Sequence, residues 1–135
     1  MTFKDVCNQT KFLLKKSLEK QLISDVPISL SLSGGIDSSI LAGLIKKDFK
    51  KNITSFSLID HSKYNEEHLI NDTQKFLDLK NNKIKIKYKS FLENLKSTID
   101  YHNEPISTIT YFVQNFLMKE VGKSNFKVIM SGTGA

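Results

Sequence analysis

The chain has 135 residues, 39% of them hydrophobic, and a formal net charge of +6; this is the length of one domain with its own core, and no low-complexity tract argues for disorder. No apolar run reaches the about 18 residues that span a bilayer, and no charged-then-apolar leader opens the chain, so no membrane is expected and the cytoplasm is the expected compartment. The single cysteine, Cys7, excludes an internal disulfide and a Cys-x-x-Cys metal or redox site. All 20 basic residues are lysine, which lacks arginine's planar fork, so the positive charge argues only weakly for nucleic acid.

In chain order, Phe3, Val6, Thr10, Leu13, Leu14, Leu18 and Leu22 recur at helical spacing. Cys7 falls on that apolar face, which predicts a buried core thiol. Ile28–Leu32 reads as a first strand, and a helix is expected from near Asp37 to about Lys47. Ser55–Ile59 is a second strand, with Phe56 and Leu58 alternating against serines. Glu66 to Leu79 is helical through Leu69, Ile70, Thr73, Phe76 and Leu77. A third strand is expected over Lys83–Tyr88, where Lys83, Lys85, Lys87 and Lys89 alternate with Ile84, Ile86 and Tyr88; lysines on one face of an edge strand guard against aggregation. Phe91, Leu92, Leu95 and Ile99 mark another helix, and Asn103–Ser107 is a loop around Pro105. Ile109, Phe112, Val113, Phe116 and Leu117 mark the last helix, with Gly122 expected to end it. Lys127–Met130 is a fourth strand. His61, His68 and His102 are not spaced as a metal site and read as surface positions. Such alternation of helix and strand implies an α/β fold with a parallel sheet and right-handed crossovers.

The chemistry gathers between the first strand and the helix after it, at Ser33-Gly34-Gly35-Ile36-Asp37-Ser38-Ser39. Backbone N–H groups at such a turn face whatever lies above the strand, and the helix dipole favours an anion there. Gly34 and Gly35 allow the backbone to approach a phosphate with no Cβ in the way. Ser33, Ser38 and Ser39 add hydroxyls, and Asp37 can hold a Mg²⁺ that neutralises phosphate charge. The plainer alternative is an ordinary helix start with Asp37 and Ser38 in its first turn. A Walker A loop is excluded, since no G-x-x-x-x-G-K-[ST] is present.

The Ser33–Ser39 segment resembles the PP-loop of the ATP-pyrophosphatase superfamily. Around it, Asp25-Val26-Pro27, His102-Asn103-Glu104-Pro105 and Ser131-Gly132-Thr133-Gly134-Ala135 stand in order where glutamine-dependent asparagine synthetases carry D-V-P, x-x-E-P and S-G-x-G-[AS]-D-E. The resemblance covers essentially the whole chain. It implies a doubly wound, Rossmann-like sheet of the adenine nucleotide alpha-hydrolase type with strand order about 3-2-1-4. First and fourth strands are then neighbours, and their Ser-Gly turns, Ser33-Gly34 and Ser131-Gly132, lie side by side at the switch point where such folds bind ligands.

The same resemblance implies an ATP-dependent, amide-forming ligase. It would adenylate a carboxylate, aspartate foremost, release pyrophosphate, and use ammonia from glutamine to displace AMP. The cofactor is Mg²⁺ and the small-molecule partners are ATP, the carboxylate and ammonia. By this resemblance Ser33, Asp37 and Ser38 would act in catalysis. Leu32, Ser33, Gly34, Gly35, Asp37, Ser38, Ser39, Leu58, Ser131 and Gly132 would bind nucleotide, and Asp37 would ligate the metal. Glu66, after Tyr64 and Asn65, matches an acidic helix start, a position that serves equally as an ordinary helix-start charge. Glu104 would lie near the acceptor or simply be solvated.

Thr133 departs from the glutamate frequent in these synthetases and cannot act as a general base near neutral pH. An amidotransferase of polysaccharide assembly is therefore an alternative. A tRNA-modifying PP-loop enzyme and an inactive nucleotide-binding remnant are others. Residues 1–135 are expected to be one synthetase domain truncated at its C-terminus, with the glutaminase domain absent, and able at most to bind nucleotide alone; a homodimer is one state open to the full-length protein.

Overall fold

The computed structural model describes residues 1–59, 66–86 and 91–132. Helix α1, Phe3–Gln21, opens on a capping box. The Thr2 N–H donates to Asp5 Oδ2 at 2.7 Å, and the Asp5 N–H donates to Thr2 Oγ1 at 3.2 Å. Strand β1, Ile28–Ser31, leads through the glycine turn into α2, Ile36–Gly43, which continues as a π-helical turn over Leu44–Asp48. Then follow β2 (Thr54–Ile59), α3 (Glu67–Leu77), β3 (Lys80–Lys85), α4 (Phe91–His102), α5 (Ile109–Lys123) and β4 (Val128–Met130). Among the described residues no helix is long and apolar enough to cross a membrane.

Two of the boundaries that differ from the pattern-based expectation have a visible cause. Strand β3 begins three residues early, at Lys80, because Asp78 adopts a left-handed conformation (φ 48°) that closes α3, and buried Leu79 turns straight into the sheet. Asn81 and Asn82 carry no apolar signal that would mark them as strand. Lys87, Tyr88 and Lys89 lie outside the described residues. Gly122 does not end α5 but sits in its last turn; Asn125 (φ 62°) makes the turn beyond it.

All strand pairs are parallel, in the order β3-β2-β1-β4. On one face Leu30, Ile59 and Met130 pack with Leu18 of α1, Leu22 that caps its end, Ala42 of α2, and Ile70 and Leu77 of α3. On the other, Phe56, Leu58, Ile84 and Ile129 pack with Leu117 and Val121 of α5. Helices α2 and α3 thus cover one face and α5 the other, so the winding reverses between β1 and β4. That reversal opens a cleft beyond the carboxyl ends of these two strands. Strand β3 is an edge, with Lys83 and Lys85 exposed, and Lys83 also pairs with Glu67 at 2.7 Å.

The first two strands bury hydroxyls as well as hydrocarbon. Ser29, Ser55 and Ser57 are fully buried. Ser29 donates to the Val128 carbonyl (2.9 Å), and Ser57 donates to the Leu32 carbonyl at 2.6 Å. Asn81 Oδ1 meets the hydroxyls of both Ser55 (3.0 Å) and Ser57 (3.1 Å), while its Nδ2 is buried without a partner. Turning that amide over satisfies the donors. Nδ2 then donates to both hydroxyls, freeing Ser55 to donate to the Lys80 carbonyl (3.2 Å) and Ser57 to donate to Leu32.

Helix α1 meets the core through Leu14 and Leu18, and Leu22 joins the core just past its end. Its earlier turns leave Phe3, Val6, Phe12 and Leu13 exposed, and Cys7 is exposed as well, not buried as its apolar neighbours led one to expect. Helical spacing shows which residues share a face; it does not show whether anything packs on that face. The middle of α1 is tied to the end of the π turn by Lys11 and Lys15, which pair with Asp48 at 3.2 and 3.3 Å. The Lys11 hydrogen bond, first among these contacts, holds the Asp48 carboxyl below the usual carboxylate range.

Candidate functional site: a glycine turn beside a second loop

Leu32 continues the β1 ladder by one bond, its N–H donating to the Phe56 carbonyl at 2.9 Å. Its side chain is buried in the core, and its carbonyl is the acceptor for Ser57. The chain leaves the sheet at Ser33, and the turn that follows is stitched from within. The Ser33 N–H donates to Ser38 Oγ (3.2 Å), the two hydroxyls stand 2.9 Å apart, and the Gly35 N–H donates to Ser33 Oγ (3.2 Å). Ser38 is buried, and its single hydroxyl proton is divided between the carbonyls of Ser33 (3.1 Å) and Gly35 (3.2 Å) and the neighbouring hydroxyl. Ser39 donates to the Gly35 carbonyl (2.9 Å) and lies 3.4 Å from Thr73 Oγ1 of α3.

Ser38 and Ser39 thus brace the turn, while Ser33 and Asp37 are its exposed polar side chains. Asp37 stands in the first turn of α2, where the helix N–H groups have no partners of their own and the dipole favours negative charge.

The second loop lies directly against this helix start. A Cβ built on Gly132 would come within 3.0 Å of Asp37 Cβ and 3.1 Å of the Ser38 nitrogen, so any other residue would push the loop and the helix start apart by a few tenths of an ångström. Ser131 and Gly132 share with Asp37 the rim of a cavity of about 530 Å³ that runs toward Leu14 and Ile40 between α1 and α2. Leu58 sits one strand over, half-buried, one residue before the carboxyl end of β2. The turn, Ser131 and Gly132 are therefore brought together, with Leu32 at their base. Thr133, Gly134 and Ala135 lie outside the described residues, as do Tyr64, Asn65 and His61. His68 is exposed on α3, and half-buried His102 packs edge-on between Tyr101 and Tyr111. Glu104 is exposed.

The arrangement suits a polyphosphate. The Gly34 N–H already receives a carboxylate oxygen, Glu66 Oε2 at 3.2 Å, so the turn takes an anionic acceptor. Among the described residues no three metal-ligating side chains stand together. A cation here would take most of its oxygens from phosphate and water, with Asp37 as the protein ligand, which is how Mg²⁺ is commonly held. The residues present fit that group.

Ser57, Thr73 and Asn81 were not among the candidate residues. The one available signal was the alternation of Ser55 and Ser57 in an otherwise apolar strand. The expected effect of Ser57→Ala follows from its short, buried bond: a loss of about 1–2 kcal/mol in unfolding free energy, read by urea titration, because the Leu32 carbonyl and Asn81 lose a partner where water cannot replace it.

A parallel, doubly wound sheet with two glycine turns meeting at its switch point defines a doubly wound α/β protein with its cleft at that point. The sequence model of the family described as asparagine synthase matches residues 9–135, and the chain belongs to that family. Among similar proteins, asparagine synthetase [glutamine-hydrolyzing] 1 of Bacillus subtilis (strain 168) is 28% identical over 88% of this chain and 19% of its own length. A putative asparagine synthetase [glutamine-hydrolyzing] 2 of Methanocaldococcus jannaschii is 26% identical over 97% of this chain and 25% of its own. The chain thus spans 19–25% of the length of these relatives. In three dimensions it is similar to the NH3-dependent NAD synthetase of Campylobacter jejuni, with a TM-score of 0.53 and 17% identity over 93% of this chain and 54% of that one. This likeness concerns the fold.

Proposed function

We propose that this chain is the ATP-binding part of an amide-forming ligase. The observation that carries the reading is the contact of Gly132 with Asp37 and Ser38 at the start of α2, which sets the second loop against the helix that the glycine turn opens. In this proposal the turn takes the β- and γ-phosphates of ATP. Leu32 and Leu58 line the adenosine side, and Ser131 and Gly132 add contacts from the second loop. Ser38 and Ser39 hold the turn in shape from beneath. A Mg²⁺ at Asp37 would neutralise charge on the departing pyrophosphate.

The acceptor is aspartate or a similar carboxylate. Its oxygen forms a bond to the α-phosphorus as the α–β bond breaks and pyrophosphate leaves. Ammonia derived from glutamine by a separate glutaminase part then bonds to the acyl carbon, and AMP departs with the bonding pair. The activation is needed because a carboxylate oxygen is a poor leaving group and AMP a good one. The proposed setting is the cytoplasm.

The protein as the cell makes it, supplied with ATP, Mg²⁺, aspartate and ammonia, is expected to yield AMP and pyrophosphate. ADP and phosphate as products would exclude the mechanism.

A further inference from the structure

The glycine turn carries a contact to a group that the proposed reaction does not use. Glu66 is the N-cap residue of α3, a position whose side chain ordinarily accepts from the first N–H groups of its own helix. Here the side chain makes no such capping bond. It reaches across to the glycine turn instead, where Oε2 accepts from the Gly34 N–H at 3.2 Å. The approach depends on glycine: a Cβ on Gly34 would lie 2.7 Å from Glu66 Cβ and 3.0 Å from Oε2. A carboxylate oxygen on a turn amide at the mouth of a helix dipole is the same contact that a phosphate oxygen would make.

We infer that Glu66 is an internal anion seated on the Gly34 amide, and that a polyphosphate must displace it to occupy the turn. This rests on the proposed phosphate role of the turn and names the residue that sets its affinity and selectivity. A weakly charged anion gains too little from one amide to expel the carboxylate and then lie beside it. A Mg²⁺-bound polyphosphate engages several groups at once and carries a cation that Glu66 tolerates as a neighbour. Once released, Glu66 can return to its own helix and cap the first turn of α3, where its charge is favoured. The exchange keeps the turn ordered when no nucleotide is present and biases it against lone small anions.

The test uses the whole 135-residue chain, with inorganic pyrophosphate and Mg²⁺ as the probe, and compares wild type with Glu66→Ala and Glu66→Gln. The first readout needs no ligand. In amide ¹H–¹⁵N spectra the Gly34 resonance is expected to move in Glu66→Ala while signals from β1 and α5 stay in place. The second is calorimetric titration. Glu66→Ala is expected to bind pyrophosphate about fivefold more tightly, the scale of one exposed charge-assisted contact removed from the competition, with Glu66→Gln between the two. The preference for pyrophosphate over monophosphate should narrow in Glu66→Ala. Equal affinity in all three proteins overturns the displacement and leaves the phosphate role of the turn standing. Weaker binding in Glu66→Ala also overturns it, making Glu66 a ligand-holding group. Absence of pyrophosphate binding in every variant overturns both.

Discussion

Asp37→Asn is expected to lower the affinity for Mg²⁺-pyrophosphate by roughly tenfold or more, the scale of losing one charge-assisted contact, while the melting temperature stays where it was. Asp37 is exposed in the first turn of α2, with Gly132 packed on its Cβ and the open cavity on its far side. Asparagine preserves that shape, so the neighbouring loop is not disturbed. It also serves the N-terminal turn of a helix about as well as aspartate, which removes a folding explanation for any loss. What it lacks is the charge that a hard, oxygen-seeking cation requires. Titration with pyrophosphate in the presence and absence of Mg²⁺ separates the contributions, since the residual affinity of the variant should no longer depend on the cation. Unchanged, Mg²⁺-dependent binding in Asp37→Asn would make the residue a plain helix-start charge and remove the metal assignment.

The fold could be read from residue patterns wherever apolar spacing was clean. Ile28–Leu32 and Ser55–Ile59 alternate, α5 shows its stripe of Phe112, Val113, Phe116 and Leu117, and the helix–strand alternation implied parallel pairing throughout. Only the resemblance supplied the strand order 3-2-1-4, because periodicity carries no information about which strands are neighbours. The failure at Cys7 has a plain physical cause: burial is decided by what packs on a face, which no single helix reveals about itself. Cys7, with Phe3 and Val6, has the spacing of a core face and lies in water. The start of β3 was missed for a different reason. Asn81 and Asn82 enter the sheet through tertiary contacts, Asn81 with the buried hydroxyls of Ser55 and Ser57, and nothing in their local propensity favours a strand.

The site was legible to the extent that it is local. Ser33 to Ser39 forms one turn, and a strand, two glycines and a helix start suffice to predict where its amides face. The division of labour inside the turn was not legible. Ser38 is buried with its hydroxyl engaged within the turn, and a carboxylate that accepts from a turn amide comes from Glu66, 32 positions away. A hydroxyl or carboxylate declares its chemistry in the sequence, but its partners follow only from the packing of α3 beside β1 and β2. The same holds for Gly132, whose closeness to Asp37 depends on β4 lying next to β1.

That dependence makes Phe56 the residue whose loss the fold should feel most. Phe56 is fully buried in β2, sits at the centre of the cluster with Leu117 and Val121 of α5, and meets Phe126 edge-on with ring centroids 5.5 Å apart. Phe126 lies just before β4, so this contact helps to set the strand that delivers Ser131 and Gly132 to the cleft. Phe56→Ala removes the ring and leaves a cavity between sheet and helix, at a cost of about 3–5 kcal/mol. Set against the 5–15 kcal/mol, roughly, that holds a domain of this kind together, such a loss lowers the melting temperature by roughly 10 °C or more. Phe56→Leu refills much of the space and should cost well under half as much. Thermal and urea melts of the two variants give the comparison, and pyrophosphate titration below the melting range adds the link to the site. Phe56→Ala should lose affinity even where it is folded, because β4 and its loop are then less firmly seated. A Phe56→Ala protein that melts within about 3 °C of wild type would mean that α5 does not depend on this ring, since a cavity of such size is expected to cost several times more.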